Sequence, residues 1–184
     1  GSAIPKKLHI MLRKEVLARY MAVRQIYKRL ENLGNLIEQA QTGLSSAEAK
    51  PEVPLSKPAD RITYNKYING LTELIGFLHA QGHIAGMNEV ERKQFQHDLS
   101  VLRADYVSLF QTSEAIILAE QQMWNEAARY LKEAMVFFQN HGTTDKHVSE
   151  LYAKINLYHR QVQNRQVPGS PTEPLSEQAV AENQ

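Results

Sequence analysis

A chain of 184 residues, 42% apolar and 22% charged, has ordinary globular composition and enough length to bury a real core. It contains no cysteine, which excludes disulfides, thiolate metal sites, iron–sulfur clusters and cysteine nucleophiles. The formal net charge of +1 conceals an asymmetry. Within residues 1–30, Lys6, Lys7, Arg13, Lys14, Arg19, Arg24, Lys28 and Arg29 face only Glu15, a net of +7 that leaves −6 for the remaining 154 residues.

No apolar run approaches the roughly 18 residues needed to cross a bilayer. Gly1-Ser2 has the form of a scar left by tag removal. The native start, with any signal or membrane anchor, is therefore expected upstream, and the compartment stays open. Residues 3–165 read as a single helical domain.

Its first element is predicted as one long helix from residue 8 to about 41. Val16, Tyr20, Val23, Tyr27, Leu30, Gly34 and Ile37 follow steps of four and three, and Leu17, Met21, Ile26, Leu33 and Leu36 broaden that stripe. A stripe this broad suits packing against two neighbours rather than a two-stranded coiled coil. Residues 42–60, TGLSSAEAKPEVPLSKPAD, carry three prolines and read as a long loop.

Helical pattern resumes near Ile62 and runs to Ala80, with Tyr64, Tyr67, Ile68, Leu71, Leu74, Ile75 and Leu78 on one stripe. Asn88 is placed to cap the next helix, with Glu89 and Glu91 in its first turn and Phe95, Leu99, Leu102, Tyr106 and Leu109 or Phe110 on its buried face. Thr112 or Ser113 is expected to cap a further helix through about Gln122. Asn125 starts another that ends before Gly142. Thr144 or Asp145 begins the last, whose stripe is Val148, Leu151, Tyr152, Ile155, Tyr158 and Val162. Residues 166–184 have no stripe to bury and are predicted to be a disordered tail.

The fold class is therefore all-α: about six helices in antiparallel hairpins or a bundle. Ala115, Leu118 and Ala119, then Ala127, Leu131 and Ala134 after a break near Met123–Asn125, set small residues against large ones across two helices. This spacing resembles the tetratricopeptide repeat, a helix–turn–helix unit of about 34 residues, over residues 108–142. The resemblance implies a protein-binding scaffold. Trp124 falls in the turn rather than at the repeat start, and a generic helical hairpin accounts for the same alanines.

Chemistry finds little purchase. His79 and His83 are spaced i, i+4, but Gly82 lies between them and no HExxH accompanies the pair, so no metal site and no cofactor are expected. There is no G-x-S-x-G and no phosphate-binding glycine loop. The chain reads as no enzyme.

The expected function is a non-enzymatic scaffold or adaptor for a protein or peptide partner, and, if an anchor lies upstream, the soluble part of a membrane-anchored assembly protein. Trp124, Tyr130, Phe137 and Phe138 are the candidate contacts. Adjacent residues diverge by about 100° on a helix, so Phe137 and Phe138 can both be buried only if two neighbours flank that helix. The alternative is a nucleic-acid-binding protein that uses Lys6, Lys7, Arg13, Lys14, Arg19, Arg24, Lys28 and Arg29 on phosphates. The same residues suit an anionic membrane surface, or simply a solvated face balanced by acidic residues elsewhere. A homo-oligomer is compatible with all of these.

Overall fold

The computed structural model describes residues 4–26, 32–50, 55–80, 87–141 and 145–170. Among them the chain is all-α, with six helices: α1 (Lys6–Ile26), α2 (Leu33–Ala49), α3 (Arg61–Ala80), α4 (Glu89–Glu120), α5 (Trp124–Gln139) and α6 (Lys146–Gln163). The expected number is met, but the partition differs at two places. The expected single domain over 3–165 divides into two compact units, Gly1–Tyr106 and Val107–Gln184, and the division falls inside α4.

The first difference is the long helix expected over 8–41, which is two helices. Asn32 takes a left-handed backbone, φ 68°, immediately before α2, a conformation that asparagine tolerates better than most residues and that no helix can continue through. The chain reverses there. Arg13 lies against Gly43, and Lys14 Nζ is 3.5 Å from Glu48 Oε1, so α1 and α2 run antiparallel. Helix α2 also extends through Ala49, so the loop expected over 42–60 is helical over its first eight residues and only its remainder is a connection. Prolines mark where a helix cannot continue; here they lie beyond Lys50, and nothing in TGLSSAEA forbids helix.

The second difference is the break expected at Thr112 or Ser113. Thr112 Oγ1 donates to the Ser108 carbonyl at 2.7 Å, and Ser113 Oγ donates to the Leu109 carbonyl at 2.6 Å. Each hydroxyl bonds back to the preceding turn rather than capping a new one, so α4 continues for 32 residues.

In the first unit, α3 and α4 form a hairpin. The Arg92 guanidinium donates to the Leu78 carbonyl at 3.1 Å, and the Tyr67 and Tyr106 rings stand 5.2 Å apart at its other end. Leu8 and Met11 of α1 join Leu71, Leu78, Phe95 and Leu99 in one apolar core. The stripe expected to bury α1 is thus displaced. Leu8, Met11 and Glu15 are its buried residues, while Val16 and Val23 are exposed, and Tyr27 and Leu30 lie outside the described residues.

Caps fix the helix starts. Asp60 accepts from the Thr63 amide at 2.6 Å ahead of α3, and this bond holds its carboxyl below the ordinary range. At α4, Asn88 Oδ1 accepts from the Glu91 amide at 2.8 Å and Glu91 Oε2 accepts from the Asn88 amide at 3.2 Å, a reciprocal capping box. Asp145 Oδ1 accepts from the Val148 amide at 3.1 Å at the start of α6.

Replacing Asn88 by alanine should lower stability by about 1 kcal/mol, read as a shifted urea midpoint by far-UV circular dichroism. Gly76, within α3, has open space where a side chain would begin. Gly76→Ala should therefore move the midpoint the other way, by about 0.5–1 kcal/mol.

Candidate functional site

The second unit is built on close helix approach. Ala115 and Ala119 of α4, and Ala127 and Ala134 of α5, are buried together with Leu131. Gln111 Nε2 donates to Glu133 Oε2 at 3.3 Å, which sets α4 and α5 antiparallel about the turn at residue 122. Helix α6 returns along the other side of α5. Phe138 and Tyr152 stack with ring centroids 6.0 Å apart, and the Gln139 amide donates to the Tyr152 hydroxyl at 3.2 Å. Two neighbours therefore flank α5; of its adjacent phenylalanines, Phe138 is buried and Phe137 half-buried.

Helices α4 and α6 end in the same way. At the end of α4, Met123 N donates to the Leu118 carbonyl at 2.9 Å and Gln122 N to the Ala119 carbonyl at 2.9 Å, with Gln122 at φ 60°. At the end of α6, Gln166 N donates to the Gln161 carbonyl at 2.9 Å and Arg165 N to the Val162 carbonyl at 3.0 Å, with Arg165 at φ 56°. These are Schellman closures, in which the left-handed position is usually glycine because a Cβ there is strained. Here it is glutamine once and arginine once.

Those two strained residues line one surface depression. Gln122, Met123, Trp124 and Asn125 form one wall, Glu126 and Ala128 continue it along α5, and Val162, Gln163 and Arg165 form the other. Trp124 is half-buried and Met123 exposed. Met123, the residue before α5, gives the helix no side-chain cap. The depression therefore brings together an indole, a thioether, a guanidinium and the first amides of a helix.

The expected contact residues do not gather there. At about 100° per residue, Trp124 lies roughly 120–140° around α5 from Tyr130 and Phe137. Tyr130 and Phe137 are both half-buried on the flank away from the depression. Phe137 meets Phe138 edge-on, centroids 5.3 Å apart, and leans on His141 at 5.1 Å. Phe138 is 8% exposed and stacked on Tyr152, so it is a core residue and not a contact surface. Its place follows from being in register with Ala127, Leu131 and Ala134, all on the buried stripe of α5. Gln122 and Arg165 had no readable signal in the sequence, because neither residue type announces a left-handed turn.

The tail expected from residue 166 is ordered over its first five residues. Buried Gln161 donates from Nε2 to the Ser170 carbonyl at 3.3 Å and accepts from the Gly169 amide at 3.1 Å. Gly169 has φ +83° and packs against Tyr158, and Pro168 is buried. Residues 171–184 lie outside the described residues.

The basic residues of α1 are spent largely within the first unit. Lys7 Nζ pairs with Glu91 Oε1 at 2.7 Å and Arg19 Nε with Glu15 Oε1 at 2.7 Å. The hydrogen bonds from the Lys7 ammonium and the Asn88 amide hold the Glu91 carboxyl below its ordinary range. Arg13 Nε donates to His9 Nε2 at 2.9 Å, and burial, with the Arg13 and Lys50 charges, keeps His9 below the usual imidazole range. Lys6 is half-buried and Arg24 exposed; Lys28 and Arg29 lie outside the described residues. Around α1, Lys6, Lys7, Arg13, Lys14 and Arg24 fall within an arc of about 120°, and Arg19 lies outside it.

Among the described residues no group of three histidine, aspartate or glutamate side chains is placed to hold a metal ion, and no helix is long and apolar enough to cross a membrane. His79 is exposed at the end of α3, and His83 lies outside the described residues. Compared with protein-family models, curated proteins and solved structures, the chain matches none.

Relieving the left-handed strain should stabilise the unit: Gln122→Gly and Arg165→Gly are each expected to add about 0.5–1 kcal/mol. Trp124 is the only tryptophan, so its fluorescence during urea unfolding reads this unit selectively.

Proposed function

We propose that the protein is a non-enzymatic adaptor whose carboxy-terminal unit holds a protein or peptide partner in the depression beside Trp124. The observation that carries this reading is the pair of strained, non-glycine helix ends, Gln122 and Arg165, on opposite walls of one depression. Backbone strain of this kind costs on the order of 1–3 kcal/mol and tends to cluster where ligands are held. Replacing either residue by glycine would relieve it at the expense of the side chain in the wall.

The lining suits a polypeptide. A half-buried indole provides an anchor of the kind that dominates protein interfaces. The uncapped amides of α5 offer donors to main-chain or carboxylate oxygens, and Arg165 and Glu126 offer charges of both signs at the edge. The alanine-lined α4–α5 hairpin supports a tetratricopeptide-like scaffold in spacing, and the scaffold reading does not depend on that likeness.

Nucleic-acid binding by α1 is the weaker reading, because Lys7, Lys14 and Arg19 already face carboxylates. The exposed Lys7–Glu91 and Lys14–Glu48 pairs are worth little to stability, yet all three reduce the net charge that phosphates would meet.

Affinity capture from a nuclease-treated lysate at moderate salt tests the proposal. A protein recovered near stoichiometry is expected to be lost with Trp124→Ala, to bind the purified chain with a shift in Trp124 emission, and to survive Val136→Ser on the exposed side of α5. Retention that ignores Trp124→Ala, or recovery of nucleic acid alone when nuclease is omitted, would overturn it.

A further inference from the structure

The depression beside Trp124 carries one charge of each sign, on opposite walls. Glu126 stands on the α5 wall and Arg165 on the wall that follows α6, and both are exposed. Gln122 and Gln163 divide in the same way, one carboxamide to each wall. Among the described residues no hydrogen bond or ion pair holds any of these four side chains. Two of them are kept against backbone strain. Gln122 and Arg165 occupy left-handed positions where glycine would be less strained, so what each adds over glycine is its side chain. A carboxamide both donates and accepts, which matches a peptide main chain, and a guanidinium matches a carboxylate.

We propose that the occupant of this depression is an extended peptide segment of mixed charge. An aliphatic side chain sits against Trp124 and Met123, an acidic one faces Arg165 and a basic one faces Glu126, while Gln122 and Gln163 hold its main chain. The inference rests on the adaptor reading and specifies what the adaptor recognises. Several physical points select this occupant. A helix bonds its own main chain internally, so it offers the two carboxamides no amide to meet. A nucleic acid would find one cation, already offset by Glu126. A lipid acyl chain would press hydrocarbon against two charges and two carboxamides. A uniformly acidic peptide would bring a carboxylate onto Glu126, and a uniformly basic one an ammonium onto Arg165.

The test titrates the full chain with blocked nonapeptides, serine-filled, whose central leucine lies between glutamate and lysine, between two glutamates or between two lysines. Emission of Trp124, the only tryptophan, reports binding. The mixed peptide should bind best, with a Kd on the order of 100 μM. Either like-charged peptide should bind about fivefold more weakly. Arg165→Glu should make the two-lysine peptide the tightest, and Glu126→Lys the two-glutamate peptide, with far-UV circular dichroism confirming that each variant is folded. Methylating the main-chain nitrogens beside leucine should weaken binding about fivefold. Arg165→Gly, which relieves strain and stabilises the unit, should nonetheless weaken the mixed peptide about threefold, an effect that a merely structural role would not produce. No change in Trp124 emission with any peptide up to about 5 mM, a charge preference that both reversals leave in place, or indifference to methylation would overturn the proposal. So would binding that appears only once residues 171–184 are removed, which would assign the depression to that segment. A lysate protein lost with Trp124→Ala but untouched by both charge reversals would also overturn it, while leaving the adaptor reading in place.

Discussion

The carboxy-terminal unit rests on the close approach of α5 to two helices at once. Alanine makes that approach possible: Ala115 and Ala119 of α4 and Ala127 and Ala134 of α5 are all buried, with Leu131 among the large side chains of the same core. Small residues at a crossing let backbones draw together, and the flanking aromatic residues then close the sides. Phe138 does this toward α6 through Tyr152, and Phe137 only half does so on the other flank. Because α5 is clamped on two sides, its first turn is held firmly where α4 and α6 both terminate.

The amino-terminal unit is organised differently. Its core lies on the α3–α4 hairpin, to which α1 adds only its first turns. Charges finish what apolar contact leaves undone: Lys7 reaches Glu91 at the capping box of α4, and Lys14 reaches Glu48 on α2. An excess of basic residues at one end of a sequence is therefore compatible with a fold that uses many of them as internal fasteners. What remains unspent sits toward the far end of α1, together with aliphatic side chains that the core does not reach.

Much of this was legible in the residues. The apolar stripes of α3, α4 and α6 and the caps at Asn88 and Asp145 follow from spacing and side-chain chemistry that act locally, and the structure places them as read except for Tyr67, which is exposed. The misreadings have two causes. At Asn32 the chain turns left-handed without glycine, so the sequence carries no stop signal there. At Thr112 and Ser113 it carries a stop signal that intrahelical hydrogen bonds cancel. The long first stripe misled for a related reason, since a hairpin of two short amphipathic helices can imitate one long one when the reversal lacks glycine and proline. Trp124 was visible as a candidate, but its partners in the depression were not, because the wall opposite it comes from a helix end about forty residues later.

The loop that follows α6 has one more implication. Gln161 is buried, and its side-chain amide is satisfied by the main chain of Gly169 and Ser170. A residue of α6 thus depends on backbone atoms that follow it in the chain. During synthesis from the amino terminus, α4, α5 and α6 can all be complete while Gln161 still faces water. The helix end locks only once Ser170 has cleared the ribosome, so the last step in closing this unit is timed by translation of a stretch that looks, residue by residue, like a tail.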